Sequence, residues 1–514
     1  MRRWITAAAF VTILWSAQDA EWLTYGGNAA GWRYSDLAQI NTGNVAALAP
    51  RWIFQTHVPG NTETSPLVRG GIMYLTGPSN HAFALDLRTG TEIWHYQRTP
   101  PKPLDLCCGE VNRGFAILGN RLFKVSIEDT LLALDSATGK PLWETTLGDY
   151  RKGYSGTAAP LVVKDKILIG TGGAEFGIRG FVDAYSPENG ERLWRFYTVP
   201  DADDPASATW GKRSNLRVGG STWITGTYDP ELNLTYWGTG NPGPDMDGDV
   251  RPGDNLYTCS IVALDPDTGA LKWHFQFTPH DTHDWDAVAD PVLADLTIGG
   301  RKVKALIQAN RNGHFYVLDR TNGKFLLAVP YTKVNWNSGI DSNGRPKVIP
   351  GLDPSEGGVK VCPGLPGGHN WQATAYSPLT GLYYFGSTDG CQSFYKREED
   401  FVEGAWYQLS GGRDIPGEHP AGSFIAIEPA TGRIRWRFDM VRNPSGGALA
   451  TAGGLVFIGD YYGNLIAFDG RTGKVLWRYQ TGAQISAPPV TYTFEGKQYI
   501  VLAAGQAVLA FALP

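Results

Sequence analysis

The sequence predicts an all-β protein, an eight-bladed β-propeller made of tryptophan-containing repeats, from two observations. The first is a high content of turn-forming residues, because 64 of the 514 residues are Gly and 33 are Pro. The second is a hairpin motif that recurs along the chain, as in proteins built from radially arranged sheets. Only 18% of the residues are charged and 42% are hydrophobic, which favours a globular β protein over a coiled coil or a disordered chain.

The repeat consists of an apolar strand, an acidic residue or Ser, a Gly that turns the chain, and a second strand that often contains a Trp. The copy from Ala84 to Gly90, followed by Trp94, is representative. Gly takes the positive φ that such a turn needs, so each copy is predicted to be a β-hairpin. Eight copies with starts 41 to 79 residues apart fit one four-stranded sheet per copy. They begin at Ala84, Ala133, Ala184, Ala263, Val317, Ala375, Ala426 and Ala467.

Eight such units occupy the chain after its N-terminus, so residues 21–514 are predicted to form a single propeller domain. We expect the ring to close by pairing of residues 22–32 with strands near residues 499–513. The long interval after Ala184 predicts an insertion. Residues 332–368 are rich in Gly, Pro and Asn, which predicts a surface excursion over one end of the ring.

Residues 1–20 are typical of a secretory signal peptide, because Arg2 and Arg3 precede an apolar run and small residues follow. This interpretation predicts a periplasmic protein, and a buried first strand is the alternative. No later run of eighteen apolar residues occurs, so no membrane span is predicted. The net charge of -5 and the lack of a Lys/Arg cluster argue against nucleic acid and anionic membranes as partners.

The chain contains five cysteines, a number that gives weak support to an oxidising compartment. Cys107 and Cys108 are adjacent, and Cys362 and Cys391 flank one loop-rich segment. If these four pair, Cys259 is the residue that we expect to stay free. No Cys lies close enough behind the leader to carry a lipid, and no C-x-x-C-H haem motif occurs.

Five local sequences carry a specific resemblance to a known family. They are CCGEVNRG at 107–114, GGAEFGIRG at 172–180, GGSTW at 219–223, GTGNPGP at 238–244 and RPGDN at 251–255. Together with the Trp-containing repeats, they resemble the pyrroloquinoline quinone (PQQ) dependent alcohol dehydrogenases over essentially the whole mature chain. The similarity includes the large subunit of methanol dehydrogenase and its soluble ethanol-oxidising relatives.

The resemblance implies four ligands to a metal ion, namely Glu175, Asn241, Asp284 and Asp286. Lanthanide-dependent members carry a second Asp two residues after the catalytic one, and Asp286 stands at that position. An extended segment would place Asp284 and Asp286 on one face. Three convergent carboxylates repel one another, and a trivalent cation relieves this repulsion better than a divalent one, so a lanthanide is preferred over calcium.

Each of these residues also has a plain structural interpretation. Glu175 is then a turn cap, and Asn241 fills a left-handed turn position. The acidic residues between 281 and 290 are then a solvated loop, although Trp285 among them argues against full exposure.

The resemblance also implies a binding site for PQQ, a flat tricarboxylate. Trp223 is implied as the floor of this site and a vicinal Cys107–Cys108 disulfide as its lid, while Arg311 contacts the quinone oxygens. Further contacts are implied for Glu63, Arg113, Thr157, Gly173, Ala174, Ser221 and Asn370. The alternatives are a core Trp, a surface ion pair for Arg113 and two free thiols.

In the implied reaction, Asp284 removes the hydroxyl proton of a primary alcohol while hydride passes to the quinone, and Arg311 is the second catalytic residue. The resemblance further implies a separate c-type cytochrome as electron acceptor, since no haem domain is present. Two departures stand out: CCG replaces the commoner CCD, and NPSGGALATAGG, which begins at residue 443, lacks the Trp often found before the paired Gly. The pocket over the quinone is therefore expected to differ, and methanol is not assigned as the substrate.

Two other functions remain open from the sequence. One is a calcium-dependent PQQ dehydrogenase that oxidises aldehydes or polyols. The other is a non-catalytic periplasmic propeller scaffold, which predicts a lipid-attachment Cys and no convergent carboxylates. The oligomeric state is also open, with a homodimer among the alternatives.

Overall fold

A computed structural model describes residues 19–211, 216–442 and 444–514. In these residues the regular structure consists of forty strands and five short 3₁₀ helices, which confirms the all-β class. The helices are Val45–Ala47, Tyr150–Lys152, Ala174–Phe176, Pro205–Trp210 and Gly248–Val250.

Most strands form eight antiparallel sheets, named here sheets 1 to 8 in chain order. Sheet 1 contains Leu67–Arg69, Ile72–Thr76, Ala82–Asp86 and Glu92–Tyr96. Sheet 2 contains Ala116–Leu118, Arg121–Val125, Thr130–Asp135 and Pro141–Thr146. Sheet 3 contains Leu161–Val163, Lys166–Gly170, Phe181–Tyr185 and Arg192–Tyr197. Sheet 4 contains Thr227–Asp229, Leu234–Gly238, Ser260–Leu264 and Leu271–Gln276.

The remaining four of these sheets follow the same order. Sheet 5 contains Val292–Ile298, Arg301–Ala309, His314–Asp319 and Lys324–Pro330. Sheet 6 contains Ala375–Ser377, Leu382–Asp389, Ala421–Glu428 and Arg433–Met440. Sheet 7 contains Ala448–Thr451, Leu455–Gly459, Asn464–Asp469 and Val475–Gln480, with Tyr34–Ser35 added parallel to its first strand. Sheet 8 contains Val490–Phe494, Lys497–Ala504 and Ala507–Ala512, completed by Ala49–Gln55.

The predicted repeats do not correspond to the sheets one by one. Six copies, including those at Ala84 and Ala467, lie on the third strand of a sheet. The copies at Ala375 and Ala426, however, lie on the first and third strands of sheet 6. Sheet 8 corresponds to no predicted copy. The assignment of one sheet to each copy was therefore wrong here, because first and third strands share the same apolar pattern.

Among the described residues, Trp side chains dock six of the eight sheets onto the sheet that follows. The indole of Trp94, on the last strand of sheet 1, packs on Gly139 in a turn of sheet 2 and donates a 3.0 Å hydrogen bond to the Ser136 carbonyl. A side chain at Gly139 would meet this ring, so the repeat needs Gly there for close approach as well as for its φ of 68°. Equivalent pairs are Trp52 on Gly90, Trp143 on Gly190, Trp194 on Gly269, Trp273 on Gly323 and Trp436 on Gly473.

The core lies between successive sheets rather than at one centre. One apolar cluster joins sheets 3 and 4, where Val182 packs with Trp237, and another joins sheets 4 and 5. The third strands are almost entirely buried, as in Thr130–Asp135, whereas the fourth strands, such as Pro141–Thr146, are largely exposed. The fourth strands therefore lie at the outer edge of the sheets.

Sheet 8 combines a strand from the N-terminal part of the chain with the three C-terminal strands. Ala49–Gln55 pairs antiparallel with Ala507–Ala512, in the register Ile53 opposite Leu509. The expectation that residues 22–32 pair with the C-terminal strands was wrong, since Trp22 forms a bridge with Val68 of sheet 1 instead. The strand that pairs is Ala49–Gln55, where the sequence APRWIFQ places Trp52 on the buried face.

The smaller strands lie partly in the two predicted insertions and partly in loops inside sheets 4 and 6. Val218–Gly219, between sheets 3 and 4, pairs with Pro242–Gly243, between the second and third strands of sheet 4. After sheet 5, Asn337–Ile340 pairs with Pro346–Val348, and Val359–Val361 joins two strands from an unpredicted excursion of sheet 6, Gln392–Lys396 and Ser410–Asp414. Trp285, Trp336 and Phe394 form an apolar cluster between these segments.

The predicted leader lies largely outside the described residues, as do residues 212–215 and Asn443. The described part begins at Asp19, and Ala20 exchanges backbone and side-chain hydrogen bonds with Thr493 of sheet 8. Among the described residues, no helix is both long and apolar enough to cross a membrane.

Candidate active site

The predicted site residues come from two kinds of loop that lie at the same end of the sheets. In an antiparallel sheet, the start of the first strand and the turn between the second and third strands lie at the same end of the sheet. Arg113, Trp223 and Asp284 precede first strands, whereas Glu175 and Arg311 lie between second and third strands. This topology brings residues from sheets 1 to 6 to one cavity of about 600 Å³.

Most of the predicted residues line that cavity. They are Glu63, Cys107, Cys108, Arg113, Thr157, Gly173, Glu175, Ser221, Trp223, Asp284, Asp286, Arg311 and Asn370. Ala174 and Asn241 do not line it. Ala174 begins the 3₁₀ helix that carries Glu175, and Asn241 is buried beside Asp286.

Arg113 is a buried cation at one edge of the cavity. It forms a 2.7 Å ion pair with buried Glu63, and its guanidinium lies 5.1 Å from the ring centroid of Trp223 and 5.3 Å from that of Trp371. Its Nε and Nη1 have no hydrogen-bond partner among the described residues. Burial raises the pKa of Glu63, and the charge of Arg113 opposes that shift. Arg113 therefore retains free donors for an anionic group in the cavity.

Hydrogen bonds fix the position of Trp223 between two parts of the site. Its carbonyl accepts a 3.1 Å hydrogen bond from the Thr157 hydroxyl, and the Thr157 carbonyl accepts one from the Arg113 amide. On the other side, Trp223 Nε1 donates to Asp286 Oδ2 at 2.9 Å. The indole thus connects the cationic edge of the cavity to its carboxylates.

Cys107 and Cys108 form a disulfide, as the resemblance implies, and Cys362 forms a second one with Cys391. Cys259 is free and buried, as predicted. The sulfurs of Cys107 and Cys108 lie within 4.8 Å of a Glu175 carboxylate oxygen. Because disulfide sulfurs are not thiolates, this group is not itself a metal site.

Glu175 occupies a segment that requires close backbone approach. Gly173 has a φ of 103°, and a Cβ there would lie 1.9 Å from the Gly153 carbonyl oxygen. The short helix Ala174–Phe176 follows, and the Glu175 carbonyl accepts a 2.6 Å hydrogen bond from the Tyr407 amide. Burial raises the pKa of Glu175 to about 7, and the negative charge of Asp286 adds to the shift.

Asp284 and Asp286 meet at Arg311 rather than at each other. Arg311 donates from Nη1 to Asp286 at 3.0 Å and from Nη2 to Asp284 at 3.2 Å. Asp284 has a φ of 61°, so the segment is not the regular extended strand that the sequence analysis expected. The two carboxylates nevertheless line the same cavity, because the left-handed turn redirects the chain toward Arg311.

Burial disfavours the ionised form of these carboxyl groups. It raises the pKa of Asp284 well above the usual range and also raises the pKa of Asp286, while the positive charge of Arg311 opposes both shifts. Asp286 has further donors, since Asn241 N–H donates to its Oδ1 at 2.7 Å. Gly240 makes room for this arrangement, since a Cβ there would lie 2.6 Å from Asp286 Oδ1.

The chemistry of the donor set suits a hard multivalent cation, although the carboxylates of Glu175, Asp284 and Asp286, all within the described residues, do not form a group whose ligand atoms lie within 4.8 Å of one another. The carboxylates of Glu175, Asp284 and Asp286 are buried or nearly so, and Arg311 is the cation that forms ion pairs with two of them. Carboxylate and amide oxygens are the ligands that such cations prefer, and a bound ion would supply the missing positive charge. Glu175, Asp284 and Asp286 would hold it, with the Asn241 amide beside Asp286.

The cavity also fits a flat polycarboxylate such as PQQ. Trp223 offers an aromatic face, and the half-exposed Cys107–Cys108 disulfide lies at the opening. Arg113 has free donors, and Asn370 Oδ1 has no partner among the residues described. These groups would bind the carboxylates and edge of the ring system.

Several lining residues were not identified from the sequence. They are Asn61, Val111, Ser155, Leu365, Pro366, Trp371, Trp406 and Gln408. Trp371 directly follows Asn370 in GGHNW, so that motif was the signal for it. Trp406 belongs to the excursion between the second and third strands of sheet 6, where no repeat or motif marks it. Its position depends on an edge-to-face contact with Phe176 at 5.3 Å.

Comparisons with known proteins identify the family of the chain. The family described as "Glucose/ethanol/alcohol dehydrogenase, beta-propeller domain" matches residues 22–344, and "Outer membrane protein assembly factor BamB" matches residues 421–513. The quinoprotein alcohol dehydrogenase PedH of Pseudomonas putida is 39% identical over 94% of this chain and 86% of its own. A lanthanide-dependent methanol dehydrogenase of Methylacidiphilum fumariolicum is 36% identical over 95% of this chain and 85% of its own.

The structural comparison extends over nearly the whole chain. The crystal structure of quinohemoprotein alcohol dehydrogenase from Comamonas testosteroni has a TM-score of 0.91 and 36% identity, covering 96% of this chain and 80% of that one. Fold and site together define a β-propeller oxidoreductase. The chain belongs to the PQQ-dependent alcohol dehydrogenases, which are oxidoreductases acting on alcohols. The family that the sequence motifs indicated is thereby confirmed.

Proposed function

We propose that this protein is a periplasmic quinoprotein that oxidises a primary alcohol to an aldehyde. The observation that carries the proposal is the meeting of Asp284 and Asp286 at Arg311 in a cavity that Glu175 and Trp223 also line. PQQ with its cation supplies the hydride acceptor for such an oxidation when it is bound. The electrons then pass to a separate c-type cytochrome.

Asp284 is the residue that would take the hydroxyl proton of the alcohol, at a carboxylate oxygen that faces the cavity. Arg311 holds this carboxylate at 3.2 Å and favours its ionised form, which a proton acceptor requires. Both oxygens of Asp286 already accept hydrogen bonds, from the Trp223 indole and from the Asn241 backbone N–H, so Asp286 is less available as a base. Trp223, Trp406 and the disulfide line the same cavity and leave less room for water around a bound substrate.

A lanthanide is the metal ion that we propose for the site, in preference to calcium. Asp286 adds a carboxylate charge beside Asp284 and Glu175, and Coulomb attraction to the site grows with the charge of the ion. Among the relatives, the methanol dehydrogenase of Methylacidiphilum fumariolicum is named as lanthanide-dependent. A calcium enzyme that acts on aldehydes or polyols is the alternative.

We further propose that residues 21–514 form one ring of eight blades. The Trp–Gly contacts run from sheet 8 to sheet 1 and on to sheet 5, and again from sheet 6 to sheet 7. Val329 on the last strand of sheet 5 contacts Gly432 of sheet 6 in place of a Trp. Trp477 of sheet 7 packs against Phe511 of sheet 8 at 5.6 Å, which supports closure of the ring. Residues 1–20 are proposed to direct export.

The test is dye-linked alcohol oxidation by the purified metal-free protein after addition of PQQ with either calcium or lanthanum. We expect activity with lanthanum in the wild type and its loss in Asp286→Ala. Asp286→Asn is the matched control for shape, since it keeps an acceptor for the Trp223 indole and removes only the charge. Thermal unfolding of each variant checks that the fold persists.

Two results would contradict parts of the proposal. Equal activity with calcium that is indifferent to Asp286→Ala would keep the enzyme class and reject the lanthanide. A wild-type protein that binds no PQQ with either metal would instead favour the non-catalytic scaffold.

A further inference from the structure

Asp245 is a buried carboxylate that none of the recognised motifs explains. It lies in the loop between the second and third strands of sheet 4, four residues after Asn241, and is fully buried. Neither of its carboxylate oxygens has a hydrogen-bond partner within the described ranges. Burial raises the pKa of Asp245 well above its usual range, and the nearby Asn241 side chain, which donates to the Pro242 carbonyl at 3.3 Å, opposes that shift. A buried carboxylate without a well-formed hydrogen bond is costly, so a positive partner is expected.

The neighbouring arginines do not supply that partner. Arg251 is buried close by, but its guanidinium donates to the carbonyls of Pro244, Asp245 and Asp281 and to the side chain of Asn255. Arg311 forms its ion pairs with Asp284 and Asp286. In the described part of the chain, therefore, no ion pair involves the Asp245 carboxylate.

Asp245 belongs electrostatically to the same centre as the carboxylates of the cavity. The negative charges of Glu175 and Asp286 add to the rise that burial causes in the pKa of Asp245, and Asp245 in turn raises the pKa of Asp284. The adjacent strand Pro242–Gly243 contacts the short helix that carries Glu175. Four carboxylates thus share one buried region, in which Arg311 pairs with Asp284 and Asp286. The charge of Arg251 opposes the rise in the pKa of Asp245 without an ion pair to it among the described residues.

We propose that Asp245 supplies a fourth carboxylate charge to the cation centre and thereby favours a trivalent ion over a divalent one. The inference rests on the metal site of the proposed function and adds to it a residue that does not line the cavity. The attraction of a charge to an ion is proportional to the charge of the ion, and it is strong where water is excluded. A trivalent ion therefore gains more from Asp245 than calcium does.

The experiment measures metal binding rather than turnover. Terbium and calcium are titrated calorimetrically into the full-length metal-free protein loaded with PQQ, for the wild type, Asp245→Asn and Asp247→Asn. Asp247 is a matched control, since it is buried in the same loop and instead caps the helix Gly248–Val250. We expect Asp245→Asn to weaken terbium binding by about 10- to 100-fold and calcium binding by a smaller factor. Asp247→Asn should leave both the terbium affinity and the calcium affinity unchanged.

Thermal unfolding of the metal-free variants separates a role in metal binding from a structural one. Asn removes a buried charge that has no partner, so metal-free Asp245→Asn should unfold at or above the wild-type temperature. Unchanged terbium affinity, an equal loss for both metals, or a loss that accompanies lower metal-free stability would overturn the inference. A wild type that binds neither ion would reject the proposed metal site itself, whereas equal terbium binding by wild type and Asp245→Asn would reject only the role of Asp245.

Discussion

At the scale of single residues, Arg311 determines how the carboxylates of the site are arranged. It contacts both Asp284 and Asp286 through separate nitrogens, and a third hydrogen bond to the Leu365 carbonyl at 2.9 Å holds its side chain. A planar guanidinium can hold two acceptors in fixed directions, which an ammonium group cannot do. The arginine therefore keeps both carboxylates at the cavity before any cation is bound.

Replacement of Arg311 should destabilise the metal-free protein in a way that a cation reverses. We expect Arg311→Gln to lower the free energy of unfolding by about 3 kcal/mol, because two buried carboxylates lose their partner. Arg320→Gln is the matched control, since Arg320 is a buried arginine that pairs with Asp229 and Asp295 outside the cavity. In denaturant unfolding with PQQ present, lanthanum should restore stability to Arg311→Gln and not to Arg320→Gln. Equal recovery of both variants would contradict this account.

Asp290 provides a pH-dependent prediction. Burial raises its pKa from 3.8 to about 6, so the folded protein binds this proton more tightly than the unfolded chain does. Below pH 3.8, proton binding by Asp290 adds fully to the free energy of unfolding, and this contribution is lost as the pH rises through 6. Asp290→Asn should therefore raise the free energy of unfolding near neutral pH by about 3 kcal/mol, at about 1.4 kcal/mol per pKa unit.

Denaturant unfolding at a series of pH values checks this prediction. The stabilisation by Asp290→Asn should shrink toward zero as the pH falls to 4, because the wild-type carboxyl group is then protonated as well. The exposed Asp203→Asn is the control and should change stability little at any pH. A stabilisation that is independent of pH would show that the charge of Asp290 is not its cause.

At the scale of elements, the hairpin turn and the preceding sheet form one packing unit. In six of the eight sheets described, the turn after the third strand contains a Gly with positive φ that the Trp of the preceding sheet covers. In sheets 1 and 2, Trp94 fills the space that a side chain at Gly139 would occupy. The spacing between the acidic residue, the Gly and the Trp therefore reflects contacts between neighbouring sheets as well as a turn within one sheet.

Two glycines of sheet 2 make it possible to separate the need for space beside a Trp from the need for a left-handed backbone. Gly139 and Gly119 both have positive φ, near 68° and 60°, but a Cβ at Gly139 would lie 2.6 Å from the Trp94 ring, whereas Gly119 has open space. Gly119→Ala should cost about 1 kcal/mol of unfolding free energy through the left-handed backbone alone. Gly139→Ala should cost about 1 to 3 kcal/mol more, because the indole must move. Equal costs in denaturant unfolding would show that the Trp adapts freely.

At the scale of the whole molecule, stability depends on the meeting of chain ends in sheet 8. Ala49–Gln55 and Ala507–Ala512 lie more than four hundred residues apart in sequence but pair along their full lengths. Trp52, on the first of these strands, then docks on Gly90 of sheet 1. Loss of one strand would expose a sheet edge and also remove the support of a neighbouring Trp.

Removal of residues 507–514 should therefore abolish cooperative unfolding of the whole chain, because Ala49–Gln55 loses its partner. Removal of Pro514 alone is the control, since this residue is exposed and follows the last strand. Calorimetry and near-ultraviolet circular dichroism measure the result. A truncated protein with one wild-type-like transition would show that sheet 8 is dispensable.

Much of the fold and site could be predicted because the relevant signals are local. The Ala84 to Trp94 repeat specifies a turn, a strand and a docking residue within one short stretch. Glu175 and Asp284 were identified through motifs that lie next to Gly or Trp residues. The strand Ala49–Gln55 was not predicted to close a sheet, because APRWIFQ has no turn signal and its partner is remote.

The sequence by itself determined the all-β class, the free Cys259, the family and most of the residues that line the cavity, because strand pattern, turn chemistry and motifs are encoded in short stretches. The tertiary structure alone decided that Asp284 and Asp286 meet at Arg311, that Trp371 and Trp406 complete the cavity, and that Asp245 is buried without a donor. These features depend on which loops the sheets bring to one end. Whether a side chain there is buried, and which charges surround it, depends on contacts between segments that are far apart in the sequence.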